Sequence, residues 1–203
     1  MASAALGRRD QNKLEKRARI IAAARALFTH KGFEATTTQE IADAAQVASG
    51  TIFTYARSKE DLLILVFHDE MLDVVERAYQ AARSRDGLLE QAIVFFETFL
   101  AYHERDLPLA RHLMRQLAYV ESAEQRGTVS DLMESLLRRL MQLVEAAKNE
   151  GEVTLASPLY AGARTLFAIY YFHLGGMLSG YIDRAQFDSA LRNDLGLLLT
   201  GLG

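Results

Sequence analysis

Hydrophobic residues recur at helical spacing along this chain almost from end to end. Between Leu14 and His30, Ile20, Ile21, Ala24, Leu27 and Phe28 fall at i, i+1, i+4, i+7 and i+8, one face of a first helix. Gly32, in KGFEA, stands where a glycine ends a helix. A second helix is expected in TTTQEIADAA, where Thr37 and Glu40 have the spacing of a capping box. A short third helix is expected from about Ser49 to Ala56. Ser58 and Asp61 repeat the capping pattern before a long helix, KEDLLILVFHDEMLDVVERAYQAA. After a break at Arg83 to Gly87, periodic segments follow at Leu88 to His103, Leu109 to Val120, Val129 to Glu150, Pro158 to Tyr181 and Arg184 to Leu199. The last carries a stripe of Leu191, Leu195 and Leu198. The pattern predicts an all-α protein: a three-helix head, a connecting helix and an apolar helical body.

Composition agrees. Half of the 203 residues are hydrophobic and only two are proline, which suits packed helices. There is no cysteine, so disulfides, thiolate metal sites and cysteine nucleophiles are excluded, and a reducing cytoplasm is the expected setting. The N-terminus has no apolar run after its charges, and no secretory leader is expected. Thr165 to Ile182, TLFAIYYFHLGGMLSGYI, lacks Asp, Glu, Lys and Arg and is long enough to be weighed as a membrane span. Its His173, three tyrosines and Gly175-Gly176 favour a buried helix, apolar all round.

Charge sharpens the outline. Met1 to Lys31 carries a net +6, leaving −9 on the remainder of a chain whose total is −3. Arg8, Arg9, Lys13, Lys16 and Arg17 lead this basic arm, which suits contact with a polyanion at one end; the plain alternative is a solvated tail.

IADAAQVASGTIF reads as two short helices joined by a tight turn, a helix-turn-helix. Ile41, Ala42, Ala45, Val47, Ile52 and Phe53 are the expected locking positions, and Thr51, Thr54 and Tyr55 are expected to point outward. In such a unit the second helix enters the major groove of DNA. Gly50 permits close backbone approach, Thr51 and Thr54 offer hydroxyls, and Tyr55 and Lys59 can bracket phosphates.

The segment RIIAAARALFTHKGFEATTTQEIADAAQVASGTIFTYARSKEDLL resembles the DNA-binding domain of TetR-type transcriptional regulators. The resemblance covers about a third of the chain. It implies a two-fold symmetric, all-helical dimer whose variable C-terminal body binds a small effector that releases an operator. It places Thr38, Gln39, Tyr55 and Lys59 against the DNA backbone, with the cap Thr37 beside them, and Ser49, Gly50, Thr51 and Thr54 in the groove. Three positions depart from the family pattern: Gln46 replaces the glycine of the turn, Ala48 the serine that caps the reading helix, and Ala56 an aromatic. A non-glycine residue at positive φ costs about 1 kcal/mol.

In the body, Phe95, Phe96, Phe99 and Tyr102 on one helix and Phe167, Tyr170 and Tyr171 on another are candidates to line an apolar pocket. His103, His112, Arg115, Gln116, Tyr119 and His173 are candidate polar anchors; the plain alternative is that most of the aromatics fill core. The uncharged late helix and the Leu191 stripe are expected to form a homodimer face, with Ala161, Gly162, Ala168, Gly175, Gly176 and Gly180 permitting close approach and roughly 2,000 Å² or more buried. No metal-ligand spacing, P-loop, dinucleotide fingerprint or nucleophile elbow occurs, so no cofactor or catalysis is indicated. The reading is a cytoplasmic, ligand-responsive DNA-binding repressor. Its expected organisation is 1–58 basic arm and helix-turn-helix domain (motif 37–56), 59–82 connecting helix, and 83–203 effector-binding and dimerisation domain. Its partners are a double-stranded operator, a small, apolar or aromatic effector and a second copy of the chain, with no membrane. The alternatives are a helical small-molecule-binding protein or enzyme with an incidental basic tail, and a membrane-associated helical protein.

Overall fold

A computed structural model describes residues 7–120, 122–154 and 158–201. Among them every regular element is helical: α1 (Arg8–Lys31), α2 (Thr38–Ala44), α3 (Ser49–Ile52), α4 (Lys59–Ala82), α5 (Leu88–His103), a 3-10 turn (Glu104–Asp106), α6 (Leu107–Ala118), α7 (Ala123–Asn149), α8 (Leu159–Leu178) and α9 (Arg184–Thr200). The ends of the 1–58 and 83–203 spans, residues 1–6 and 202–203, lie outside the described residues. No helix among those described is long and apolar enough to cross a membrane.

Helix α4 is the pillar of the molecule. It packs most extensively on α5 and α7 and also meets α1 and α6. Leu62, Leu63, Ile64, Val66, Phe67, Met71, Val74, Val75, Ala78 and Ala82 are all buried, more than one amphipathic stripe supplies, because α4 has neighbours on several sides. In the head, Ile20, Ala24 and Phe28 of α1 close over Ile41, Ala42, Ala45 and Ile52.

Several boundaries differ from the sequence expectation for identifiable reasons. Helix α1 begins at Arg8, six residues early, because the Gly7 carbonyl accepts from Asp10 N and Gln11 N and starts the turn. The basic residues from Arg8 to Arg17 therefore ride on helix α1 instead of forming a separate arm. Helix α7 begins at Ala123 because Ser122 and Gln125 form a reciprocal capping box that the apolar pattern did not show. Helix α3 ends at Ile52. Pro158 is the N-cap of α8, which stops at Leu178.

The expected capping box at Ser58 is one-sided. Ser58 Oγ accepts from Asp61 N at 3.1 Å, but the Asp61 carboxylate accepts from Arg57 N at 2.7 Å and from the Gln125 side chain. Asp61 thereby ties the α3–α4 junction to the start of α7. Three further expectations are corrected. Phe53 is 59% exposed instead of locking the helix pair. Leu191 and Leu195 are fully buried and Leu198 half-buried, so that stripe packs inward against the body. Helix α8 is buried along Ala163, Leu166, Tyr170, Leu174 and Leu178 but leaves Tyr160, Ala168 and Phe172 exposed, so it is not apolar-buried all round.

Candidate DNA-binding face and ligand cavity

Helix α2 starts with a complete capping box. Thr37 Oγ1 accepts from Glu40 N at 3.3 Å, and Glu40 Oε2 accepts from Thr37 N at 3.0 Å. Lys31 also bonds Glu40. That bond, followed by those from Thr37, holds the Glu40 carboxyl down at about 2. Helix α2 ends in a Schellman arrangement: Val47 N donates to Ala42 O at 3.0 Å and Gln46 N to Asp43 O at 3.1 Å. The motif needs a left-handed residue, and Gln46 supplies it at φ 55. Gly151 and Gly180 close α7 and α8 through the same bond pattern, with φ 77 and 78.

Ala48 is the N-cap of α3 and offers no side-chain bond, and Ser49 does not substitute for it: its hydroxyl donates to Gln39 Oε1. Gln39 in turn donates to Asp43 at 2.8 Å, so the two helices are stitched by Ser49–Gln39–Asp43. Gly50, Phe53 and Thr54 are exposed, Thr38 and Thr51 half-buried. A Cβ at Gly50 would meet no atom within 4 Å, so the protein's own packing does not require glycine there. The Tyr55 hydroxyl donates to the Lys13 carbonyl at 3.1 Å, and Lys59 Nζ donates to the Phe33 and Glu34 carbonyls at 3.0 Å each. Both tie the reading unit to α1 and its following loop. The Lys59 ammonium also lies 3.8 Å from Glu34 Oε2 and 4.7 Å over the Phe33 ring. Arg8, Arg9, Lys13 and Lys16 are exposed, whereas Arg17 is committed to Asp69.

The body holds an apolar cavity of about 230 Å³, somewhat below the roughly 300–1,000 Å³ usual for small-molecule sites. Its walls are faces of single helices: Ile64, Phe67, His68 and Met71 of α4; Phe99 and His103 of α5; Met114 and Leu117 of α6; Thr128, Val129, Leu132, Met133 and Leu136 of α7; Phe167, Tyr170, Tyr171 and Leu174 of α8. Of the aromatic candidates, Phe99, Phe167, Tyr170 and Tyr171 line it, while Phe95 and Phe96 are core. Tyr102 donates instead to Glu70. Of the polar candidates only His103 lines it. His112 sits 3.5 Å from Glu34, His173 bonds Asp194 at 2.8 Å, Arg115 is exposed, and Gln116 and Tyr119 border an open groove beside Ser58 and Gln125. The α4 contribution was missed, although Ile64, Phe67, His68 and Met71 at i, i+3, i+4 and i+7 are one helix face with a histidine set in it.

Among the described residues, no Lys, Arg, Asp or Glu lines this cavity. Burial pulls His103 down to about 4, so its ring is neutral at pH 7. Three wall residues carry a buried polar atom with no partner: His68 Nε2, His103 Nδ1 and Tyr170 Oη.

A helix-turn-helix head on a helical body with an apolar chamber is an architecture that suits a DNA-binding regulator. Residues 20–66 match the family model described as "Bacterial regulatory proteins, tetR family", so the helix-turn-helix head is of that kind. The chain is similar to the fatty acid metabolism regulator protein of Bacillus subtilis, 26% identical over 144 residues that cover 70% of this chain and 73% of that one. It is 28% identical to the transcriptional repressor KstR of Rhodococcus jostii over 74% of this chain and 72% of that one. The crystal structure of Thermus thermophilus FadR, a TetR-family repressor in complex with lauroyl-CoA, superposes with a TM-score of 0.75 at 24% identity, covering 92% of this chain and 95% of that one; the likeness is one of fold.

Proposed function

We propose that this regulator is a ligand-responsive repressor, cytoplasmic and dimeric, whose ligand places an acyl chain in the body cavity. The observation that carries the reading is the chamber itself: about 230 Å³, uncharged, and walled by the same α4 that starts at the end of the DNA-binding motif. The 1–58 head serves as DNA-binding domain, 59–82 as connector and 83–203 as effector and dimerisation domain. Occupancy that favours a second placement of α4 changes the spacing of the two heads on a pseudo-palindromic site.

The lining favours an uncharged ligand body. A free carboxylate buried here meets no cation, and an unpaired buried charge is strongly penalised. An acyl thioester places only methylenes and a neutral carbonyl inside. The names of the relatives, a fatty acid metabolism regulator and a lauroyl-CoA complex, point the same way. In dimerisation the exposed faces of α8 and α9, with Ala168, Phe172 and Leu197, meet a second copy. On DNA, Gly50, Thr51 and Thr54 face base edges. Thr37, Thr38, Gln39, Tyr55, Lys59 and the exposed α1 cations hold phosphates. Phe53 suits a thymine methyl.

The test is selection of random duplexes on the purified protein, followed by titration of the winning duplex complex with lauroyl-CoA and with laurate. Enrichment of an inverted repeat, released by the thioester and not by the free acid at equal concentration, supports the reading. Release by both, or by neither, overturns the ligand assignment. Failure to enrich any sequence overturns the operator.

A further inference from the structure

Among the described residues, His68 is the one cavity-lining side chain that is also bonded into the contact between α4 and the head. Its Nδ1 lies 3.1 Å from Asp69 Oδ1. That oxygen also accepts from Arg17 Nη2 at 2.9 Å, while Asp69 Oδ2 accepts from Arg17 Nη1 at 2.6 Å. Arg17 belongs to α1, which also receives the Tyr55 hydroxyl. Two consecutive contacts therefore run from the cavity wall to α1, and the Tyr55–Lys13 bond continues from α1 to the reading unit. An ionised carboxylate only accepts, so Nδ1 carries the proton. Nε2 is buried and has no partner, so the ring is anchored at one nitrogen alone.

A second carboxylate offers a built-in contrast. Glu70, the next residue, takes the Tyr102 hydroxyl and pairs with Arg25 of α1 at 3.1 Å. It clamps the same two helices together, but neither Glu70 nor Tyr102 lines the main cavity. Asp69 and Glu70 thus hold α1 in parallel, and only Asp69 is shared with a cavity residue.

We propose that His68 is the positioning residue through which cavity occupancy reaches the DNA-binding head. Ligand filling the chamber displaces the singly anchored ring, the hydrogen bond at Asp69 Oδ1 is redistributed between His68 and Arg17, and α1 shifts on α4. This rests on the cavity being the ligand site. Coupling here is a difference in ligand contacts between two placements of one side chain, not a change in the chamber's affinity as such.

The experiment compares full-length wild type with His68→Phe, His68→Asn, Asp69→Asn and Glu70→Gln. Lauroyl-CoA affinity is measured by calorimetry without DNA, and operator affinity with and without saturating lauroyl-CoA. In wild type the ligand is expected to weaken operator binding at least tenfold. Asp69→Asn, whose side chain lies outside the cavity lining, binds lauroyl-CoA within about threefold of wild type, and at saturating lauroyl-CoA both Asp69→Asn and His68→Phe lose most of that factor. His68→Asn, whose amide can still reach Asp69 as Nδ1 does, recovers part of it. Glu70→Gln lowers thermal stability but keeps the factor. Equal loss in Glu70→Gln and Asp69→Asn would show that mere adhesion of α1 is at work, and undiminished coupling in His68→Phe would exclude the relay; either overturns the proposal. If lauroyl-CoA does not bind wild type, the acyl reading has failed separately. The relay is then decided on operator affinity alone, by a double-mutant cycle of His68→Phe and Arg17→Ala: a coupling of threefold or more supports it and additivity overturns it.

Discussion

Arg17 grips Asp69 with both terminal guanidinium nitrogens, at 2.6 and 2.9 Å, across 52 residues of sequence. The pair fastens α1 to α4, and so the DNA-binding head to the pillar of the body. Bidentate geometry makes it stronger than a single-point ion pair. Both side chains keep about a third of their surface exposed, 31% and 36%, and water screens them.

Asp69→Asn is expected to cost roughly 0.5–1 kcal/mol at pH 7 in urea unfolding. Partial burial pushes the Asp69 carboxyl up, but the bonds from Arg17 and His68 outweigh it, and the net shift is downward. A carboxylate lowered in the folded state stabilises above its unfolded value, about 3.9, and loses that contribution as pH falls through the folded value. The gap between Asp69→Asn and wild type should therefore be constant near neutrality and close in acid. A gap that widens on acidification would contradict the assignment.

Gln46→Gly should stabilise the protein. Gln46 is exposed, occupies the left-handed position of a Schellman motif at φ 55, and makes no side-chain bond among those observed. Relief of about 1–2 kcal/mol of backbone strain is offset by about 0.5–1 kcal/mol of glycine's extra chain entropy. The expected net gain is roughly 0.5–1 kcal/mol, a rise of about 1–4 °C in Tm for a chain of this size. A fall in Tm would show that the Gln46 side chain does something the hydrogen bonds do not reveal.

The left-handed position at Gln46 was legible only through the family pattern, which has glycine there, whereas the Thr37–Glu40 cap was legible from its own local spacing. The start of α7 was not legible: AEQRGTVS is polar and contains Gly127, so no apolar period announces it, and the signal lay in Ser122 and Gln125. The cavity was legible only in part: Phe99, His103, Phe167, Tyr170 and Tyr171 were among its candidates, but the α4, α6 and α7 walls were not. Its walls take one face from each of five helices, and periodicity within a helix shows a face without showing what lies opposite. Phe96 and Phe99 look alike in sequence. Only packing makes the first core, stacked 4.8 Å from Tyr170, and the second a wall of the chamber. Phe53 was misassigned because an aromatic beside Ile52 reads as core until α3 is seen to end there.

Tyr170→Phe is expected to raise the stability of the ligand-free protein. The side chain is 1% exposed, its ring stacks on Phe96, and its hydroxyl is buried without a partner. Burial, with Glu104 adding to it, pushes that hydroxyl well above its ordinary value, so it stays protonated. Removing an unsatisfied buried hydroxyl while keeping the ring relieves a desolvation cost of roughly 1–3 kcal/mol. Urea midpoints should shift upward with an unchanged m-value. A loss of stability would mean that an ordered water or a ligand occupies the hydroxyl.

His103 gives the molecule an acid-sensitive body. The ring is 5% exposed and stacks on Phe67 at 5.8 Å. Burial alone lowers it from 6.5 to about 4. Between those two values the unfolded chain binds a proton at His103 that the folded chain refuses. Stability is therefore complete above pH 6.5 and falls as pH drops toward 4, by an amount on the order of 3 kcal/mol at about 1.4 kcal/mol per unit. Below about pH 4 the folded ring also takes the proton and the contribution stops changing. Other carboxylates titrate in the same window, so the observable is a difference: wild type minus His103→Phe, in urea unfolding from pH 7.5 to 4. The substituted ring keeps the stack on Phe67, and the adjoining cavity accommodates its extra volume. The difference should grow with acid in favour of the variant. If the two pH profiles run parallel, His103 is either bonded through its second nitrogen or already solvated, and the neutral character assigned to that wall of the cavity is wrong.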